Sequence, residues 1–95
     1  MNLISKPNLF EAARAKKNPQ LVDKIESWYQ LATKNDFENF VELQGVFSSV
    51  DWVADKLVFN LGSYRLICGV SFRRKAFYFI TLLSHAEYDR GGWKL

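Results

Sequence analysis

Few residues in this 95-residue chain can carry chemistry at neutral pH, and they cluster toward its C-terminal end. His85 is the one histidine, and imidazole is the side chain whose ordinary pKa falls nearest neutrality. Glu87 and Tyr88 follow closely: a carboxylate that can accept a proton or orient the ring, and a phenol that can donate one. Arg65 offers a planar fork of donors that grips two phosphate oxygens and stays charged at any working pH. Together these types suit a site that binds a phosphate and moves a proton. Each also has an ordinary reading: a solvated strand arginine, a satisfied histidine at a strand end, and a packed tyrosine ring with a wet hydroxyl.

Other chemistries are poorly supplied. Cys68 is the lone cysteine, so no disulfide framework exists. One Cys and one His cannot provide the four N/S ligands of a structural zinc site. A serine-protease-like triad would have to use His85. No cofactor is expected.

Spacing says how the chemical residues are held. The segments 57–61 and 64–73 read as strands flanking Gly62-Ser63, a two-residue loop that suits a type II′ hairpin. That turn fixes the register, with Leu61 facing Tyr64, Asn60 facing Arg65, Phe59 facing Leu66 and Leu57 facing Cys68. Leu57, Phe59, Leu61, Tyr64, Leu66, Cys68, Val70 and Phe72 then share one face, which must be the core. Asn60 and Arg65 become cross-strand neighbours on the other, less apolar face. Cys68 reads as packing rather than as a nucleophile. A third strand, 77–83, is apolar on both sides and belongs inside the sheet.

Ser84 opens a capping box with Glu87, and one helical turn from His85 sets it beside Tyr88 and Asp89. Which face His85 takes depends on the connection at Arg73-Arg74-Lys75. A two-residue turn pairs Arg65 with Ser84 and starts His85 on the core side. A three-residue loop, a bulge, or the helical turn brings His85 to the Arg65 face.

The N-terminal half reads as helical. Leu3-Ile4 is a short apolar start suited to an edge strand. Asn8 and Glu11 resemble a capping box for a helix over 9–16. Asn18-Pro19 restarts the chain as N-cap and first helical residue. Leu21, Val22, Ile25, Trp28, Tyr29 and Ala32 then keep a 3.6-residue period. Residues 35–56 read as a short helical piece followed by an ordered loop that packs its aromatics.

Apolar residues at 48% and aromatics at 16% exclude disorder, and the length allows one domain over residues 1–95. No apolar leader is visible, and the longest apolar run, 76–83, is far too short to span a bilayer. The expectation is a cytoplasmic protein with a reduced Cys68 and no membrane partner. A net charge of +3 allows a polyanionic partner without demanding one. The basic clusters Lys16-Lys17 and Arg73-Arg74-Lys75 are either a helix C-terminus and a charged turn, or a phosphate-tracking patch.

Taken in order, these segments resemble the HigB-type toxins of bacterial type II toxin–antitoxin modules, within the RelE-like superfamily. The most specific parts are Leu57-Val58-Phe59-Asn60, Tyr64-Arg65-Leu66-Ile67 and Ser84-His85-Ala86-Glu87-Tyr88-Asp89. Asn2-Leu3-Ile4-Ser5-Lys6, Ala13, Trp28-Tyr29 and Phe47-Ser48-Ser49-Val50-Asp51 support them. Ser63 stands where relatives often carry a lysine before the Tyr-Arg pair. The resemblance implies an α+β fold, two N-terminal helices packed on a small, mainly antiparallel sheet. It implies a metal-independent endoribonuclease that cuts messenger RNA on translating ribosomes, held in check by a HigA-type helix-turn-helix antitoxin. In that reading Arg65 stabilises the phosphorane, His85 is general acid or base, Tyr88 is its partner or an orienting group, and Asn60 fixes Arg65 or contacts the scissile phosphate. Arg73, Arg74 and Lys75, with Lys56, would hold RNA backbone or ribosomal RNA. Two alternatives stand beside it: a non-catalytic RNA- or protein-binding module of the same fold, and a plain structural or interaction domain.

Overall fold

The computed structural model describes residues 1–94. In chain order it forms β1 (Asn2–Ile4), α1 (Lys6–Ala15), α2 (Pro19–Lys34), α3 (Phe40–Val46), β2 (Asp51–Val53), β3 (Lys56–Leu61), β4 (Tyr64–Ser71), β5 (Ala76–Ser84) and α4 (His85–Asp89), with a final 3₁₀ turn, Gly92–Lys94. The sheet order is β1-β5-β4-β3-β2. β1 runs parallel to β5, and the other neighbours are antiparallel. This is an α+β RelE-like arrangement, with β5 inside the sheet as its two-sided apolarity requires.

Helices cover one face of the sheet. Leu9 and Ala13 from α1, Leu21, Ile25, Trp28 and Ala32 from α2, and Leu43 from α3 meet Leu57, Phe59, Leu66, Cys68, Phe77 and Leu82 in one buried cluster. Trp28 sits among aromatic rings, 5.3 Å from Phe59 and 5.8 Å from Phe77 between centroids. Cys68 lies within this core, and burial pushes its thiol well above the usual range, so it packs rather than reacts. The opposite face carries no helix from the N-terminal half. Its centre is still apolar, with Val58 and Ile67 paired across the strands and both buried apart from the helix-side core.

The 57–61/64–71 hairpin has the register that its two-residue loop dictates, down to Asn60 opposite Arg65. The N-terminal boundaries differ from expectation. α1 begins at Lys6 rather than 9, after Ser5 in a left-handed conformation, because Pro7 in the first turn is pre-set for helix and needs no N–H partner there. Asn8 is therefore inside the helix and caps nothing. Asn18 does cap α2, its side chain accepting from the Gln20 and Leu21 N–H groups at 3.1 and 3.3 Å, worth about 1 kcal/mol. The segment expected as an ordered loop contains a strand: β2 pairs with the start of β3 through Asp51 opposite Val58.

The decisive feature lies in β5. Near the 72–75 turn, Val70 faces Phe77 and Cys68 faces Phe79; beyond it Ile67 faces Thr81 and Leu66 faces Leu82. Ile80 is thus an extra residue, a bulge that leaves it 42% exposed. Regular alternation from Phe79 would have turned Thr81 inward and Leu82 outward. The bulge restores Leu82 to the core and sets Leu83 opposite Arg65. Deleting Ile80 should consequently straighten β5 without refacing it, and a cooperative melt should persist with a Tm drop of no more than about 5–10 °C. Deleting Leu66 from the regular part of β4 should abolish that melt, as read by circular dichroism.

Candidate active site

Arg65 projects from β4 on the face opposite the helices, half-buried. Its Nη1 donates to the carbonyls of Gly62 and Tyr64, both at 3.0 Å, which pins the guanidinium over the hairpin turn. The remaining donors make no hydrogen bond among the described residues, so an outward edge stays available for an anion. Its flat face lies 5.8 Å from the Tyr88 ring centroid, a cation–π contact. Asn60 faces Arg65 across the ladder, but its Nδ2 donates to the Ser49 carbonyl at 3.5 Å, and the bonds that hold Arg65 come from backbone.

His85 opens α4 directly beyond β5, and its N–H donates to the Ser63 carbonyl at 2.9 Å. The strand end therefore docks against the same hairpin turn that anchors Arg65. The bulge settles the face: Arg65 lies opposite Leu83, so the next outward position after Leu83 is His85. The imidazole is 60% exposed, and its Nδ1 lies 3.4 Å from an Asp89 carboxylate oxygen one helical turn on. The Asp89 carboxylate is placed to orient the ring.

Glu87 has another task. Its carboxylate accepts from the Ser84 N–H at 3.0 Å, while the Ser84 hydroxyl accepts from the Glu87 N–H, completing the expected capping box. The same oxygen accepts from Lys16 Nζ at 3.0 Å, tying α4 to the end of α1. The Ser84 N–H, Lys16 and the Ser84 hydroxyl hold the Glu87 carboxyl down to about 2. It stays ionised and structural, so the expectation that it exchanges a proton or orients the ring is replaced. Lys16, read as half of a basic patch, is the partner of that carboxylate.

Sequence reasoning missed Trp93. Its ring stacks on Tyr88 at 5.0 Å and 18°, and its Nε1 donates to the Tyr88 carbonyl at 3.0 Å. A guanidinium and two aromatic rings therefore form a column, Arg65, Tyr88, Trp93. The aromatic spacing of five residues around Gly91, whose φ of +76° folds the chain back, was the available signal.

The basic residues lie elsewhere. Arg73 and Arg74 are exposed in the β4–β5 turn, at the far end of β4, about 23 Å along the strand from Tyr64. Lys75 beside them is engaged by the Glu38 carboxylate and the Phe37 carbonyl. Lys56 reaches the Ala54 carbonyl at 3.4 Å, also toward that end.

The Glu87 arrangement has a measurable acid limit. A carboxyl held below its ordinary value of 4.5 adds stability that is fully present above that value and drains away as pH falls through about 2. Thermal melts should show no Glu87 contribution to pH dependence between pH 7 and 5. Glu87→Gln should remove part of the acid dependence below pH 4.5, and Lys16→Met should shift that part upward in pH.

No curated protein matches the chain. A family model described as HigB_toxin, the RelE-like toxic component of a toxin-antitoxin system, matches residues 22–91. The match spans well over half of the sequence and includes Asn60, Arg65, His85 and Tyr88, and no described helix is long and apolar enough to cross a membrane. With the fold and the hairpin–α4 arrangement above, this places the chain in the HigB family, as a toxin of a toxin–antitoxin system.

Proposed function

We propose that this toxin is an endoribonuclease that cleaves messenger RNA on translating ribosomes without a cofactor, and that a HigA-type helix-turn-helix antitoxin restrains it. The observation that carries this reading is the Arg65 guanidinium, pinned by two backbone carbonyls on the open sheet face, with α4 and its exposed His85 docked on the same turn.

RNA cleavage by internal transfer needs three things. The 2′-oxygen must lose its proton and attack phosphorus, the phosphorane charge must be stabilised, and the departing 5′-oxygen must gain a proton. The products are a 2′,3′-cyclic phosphate and a 5′-hydroxyl. Arg65 supplies fixed positive charge to the phosphorane oxygens; because its position is set by the backbone, little reorganisation is required as charge develops. His85 exchanges a proton, with Asp89 orienting the ring. Tyr88 shares the proton traffic and packs the guanidinium. Asn60, exposed beside Arg65, contacts the scissile phosphate. Lone imidazole chemistry gains most from a substrate already held in line, and that task falls to the ribosome.

Arg65→Ala should lower cleavage by about 10²–10³-fold, and His85→Ala by about 10²–10⁴-fold. Both should keep the native melt, since both side chains lie off the core face. The measurements are growth arrest on expression and mapped cleavage ends on translating ribosomes. Toxicity undiminished in both variants would remove this assignment.

Arg73 and Arg74, with Lys75 and Lys56, track RNA backbone at the far end of the sheet. Lys75 already has an acidic partner, so the two arginines carry most of the effect. Replacing both by Ala should weaken ribosome or RNA binding and lower the slope of log K against log salt by about 1.4. An unchanged slope would take this turn out of the interface.

A further inference from the structure

Trp93, at the end of the Arg65–Tyr88–Trp93 column, borders a groove that no step above uses. The Trp93 ring forms one wall; Ile80, Thr81 and Leu83 of β5 form the floor; Glu87 and Arg90 stand at the rim. Its volume is about 480 Å³, within the range of sites that enclose small ligands. The bulge completes that floor, because it brings Thr81 and Leu83 to the side where Ile80 already points.

The charges at this rim are unequal. Glu87 is neutralised by Lys16 and by its own cap. Arg90 is exposed and forms no ion pair among the described residues. The groove therefore presents an aromatic ring, an aliphatic floor and one unopposed cation, next to the anion-facing edge of Arg65. An indole and aliphatic side chains stack on either face of a planar base, and a guanidinium at the rim takes the phosphate joined to it. That combination is how single-stranded nucleic acid is held without a fixed sequence.

We infer that this groove is a nucleotide subsite: a base stacks on Trp93 over Ile80 and Leu83, Arg90 holds its phosphate, and the strand leads from there to Arg65. The inference rests on the nuclease reading for the identity of the strand. It adds that the C-terminal turn binds substrate, so that Trp93 acts on affinity more than on chemistry.

The test uses the full chain and a fluorescein-labelled 2′-O-methyl RNA hexanucleotide, whose capped 2′-oxygen prevents cleavage. By anisotropy, Trp93→Ala should weaken binding about tenfold or more, and Trp93→Phe should retain most of it. Ile80→Glu changes an exposed residue and needs no refolding of the core; it should weaken binding as well. Arg90→Ala should weaken binding and flatten its salt dependence. In cleavage assays Trp93→Ala should raise KM more than it lowers kcat and leave the pH profile in place. Native-level binding by both Trp93→Ala and Ile80→Glu would overturn the inference. So would absence of binding by the unaltered protein at millimolar oligonucleotide, or loss confined to antitoxin binding, which would make the occupant a protein. Full cleavage by Arg65→Ala would instead remove the nuclease mechanism and leave the groove to be judged by the oligonucleotide alone.

Discussion

In β5 the inward side chains are Phe77, Phe79 and then Leu82, an odd step that a strand of strict two-residue period cannot take. Ile80 absorbs the difference as a bulge. The hydrophobic demand is firm: Leu82 lies opposite Leu66 under the helices, and a solvent-facing Leu82 with Thr81 inward would exchange an apolar contact for a buried hydroxyl. Everything beyond residue 80 inherits the correction. Leu83 comes opposite Arg65, Ser84 can cap a new helix, and His85 emerges on the uncovered side with its N–H bonded to the hairpin turn. A packing requirement of the core thus sets where the polar end of the molecule can meet.

Once there, the parts are held by backbone and by one long-range ion pair. Arg65 leans on two carbonyls of its own turn, and α4 is fixed at its start by the Ser84–Glu87 box and at its side by Lys16 of α1. These holders are not themselves proton carriers. Glu87 is the clearest case, a carboxylate kept ionised by its partners. The groups left facing outward, the outer edge of Arg65 and the His85 imidazole with Asp89, are the ones suited to a phosphodiester.

Much of this was legible in the amino-acid string where one local rule governs. A two-residue loop fixed the β3–β4 register, Asn18-Pro19 marked the start of α2, and Ser84 with Glu87 marked α4. The family, too, could be read from those segments. What escaped depended on competition between rules or on distance. Asn8 had the form of a cap, but Pro7 began the helix earlier. The face of His85 hung on the sum of a turn length and a bulge, which no short window contains. The Lys16–Glu87 pair and the Trp93–Tyr88 stack join residues whose meeting depends on the whole fold or on a chain reversal at Gly91. The far placement of Arg73 and Arg74 was implicit in the hairpin, since a turn at the opposite end of an eight-residue strand lies well away from Arg65.

The sheet order β1-β5-β4-β3-β2 has a temporal side. β5, which lies between β1 and β4, comes last among the strands in chain order, and β1, the first, pairs with β5 alone. Until residues 76–84 are available, the helices have only part of a sheet to rest on and Arg65 has no α4 beside it. Such long-range closure is slow compared with helix formation. Arg65 and His85 therefore come together only when β5 closes onto β4, so the two halves of the candidate site assemble in the same step that completes the sheet.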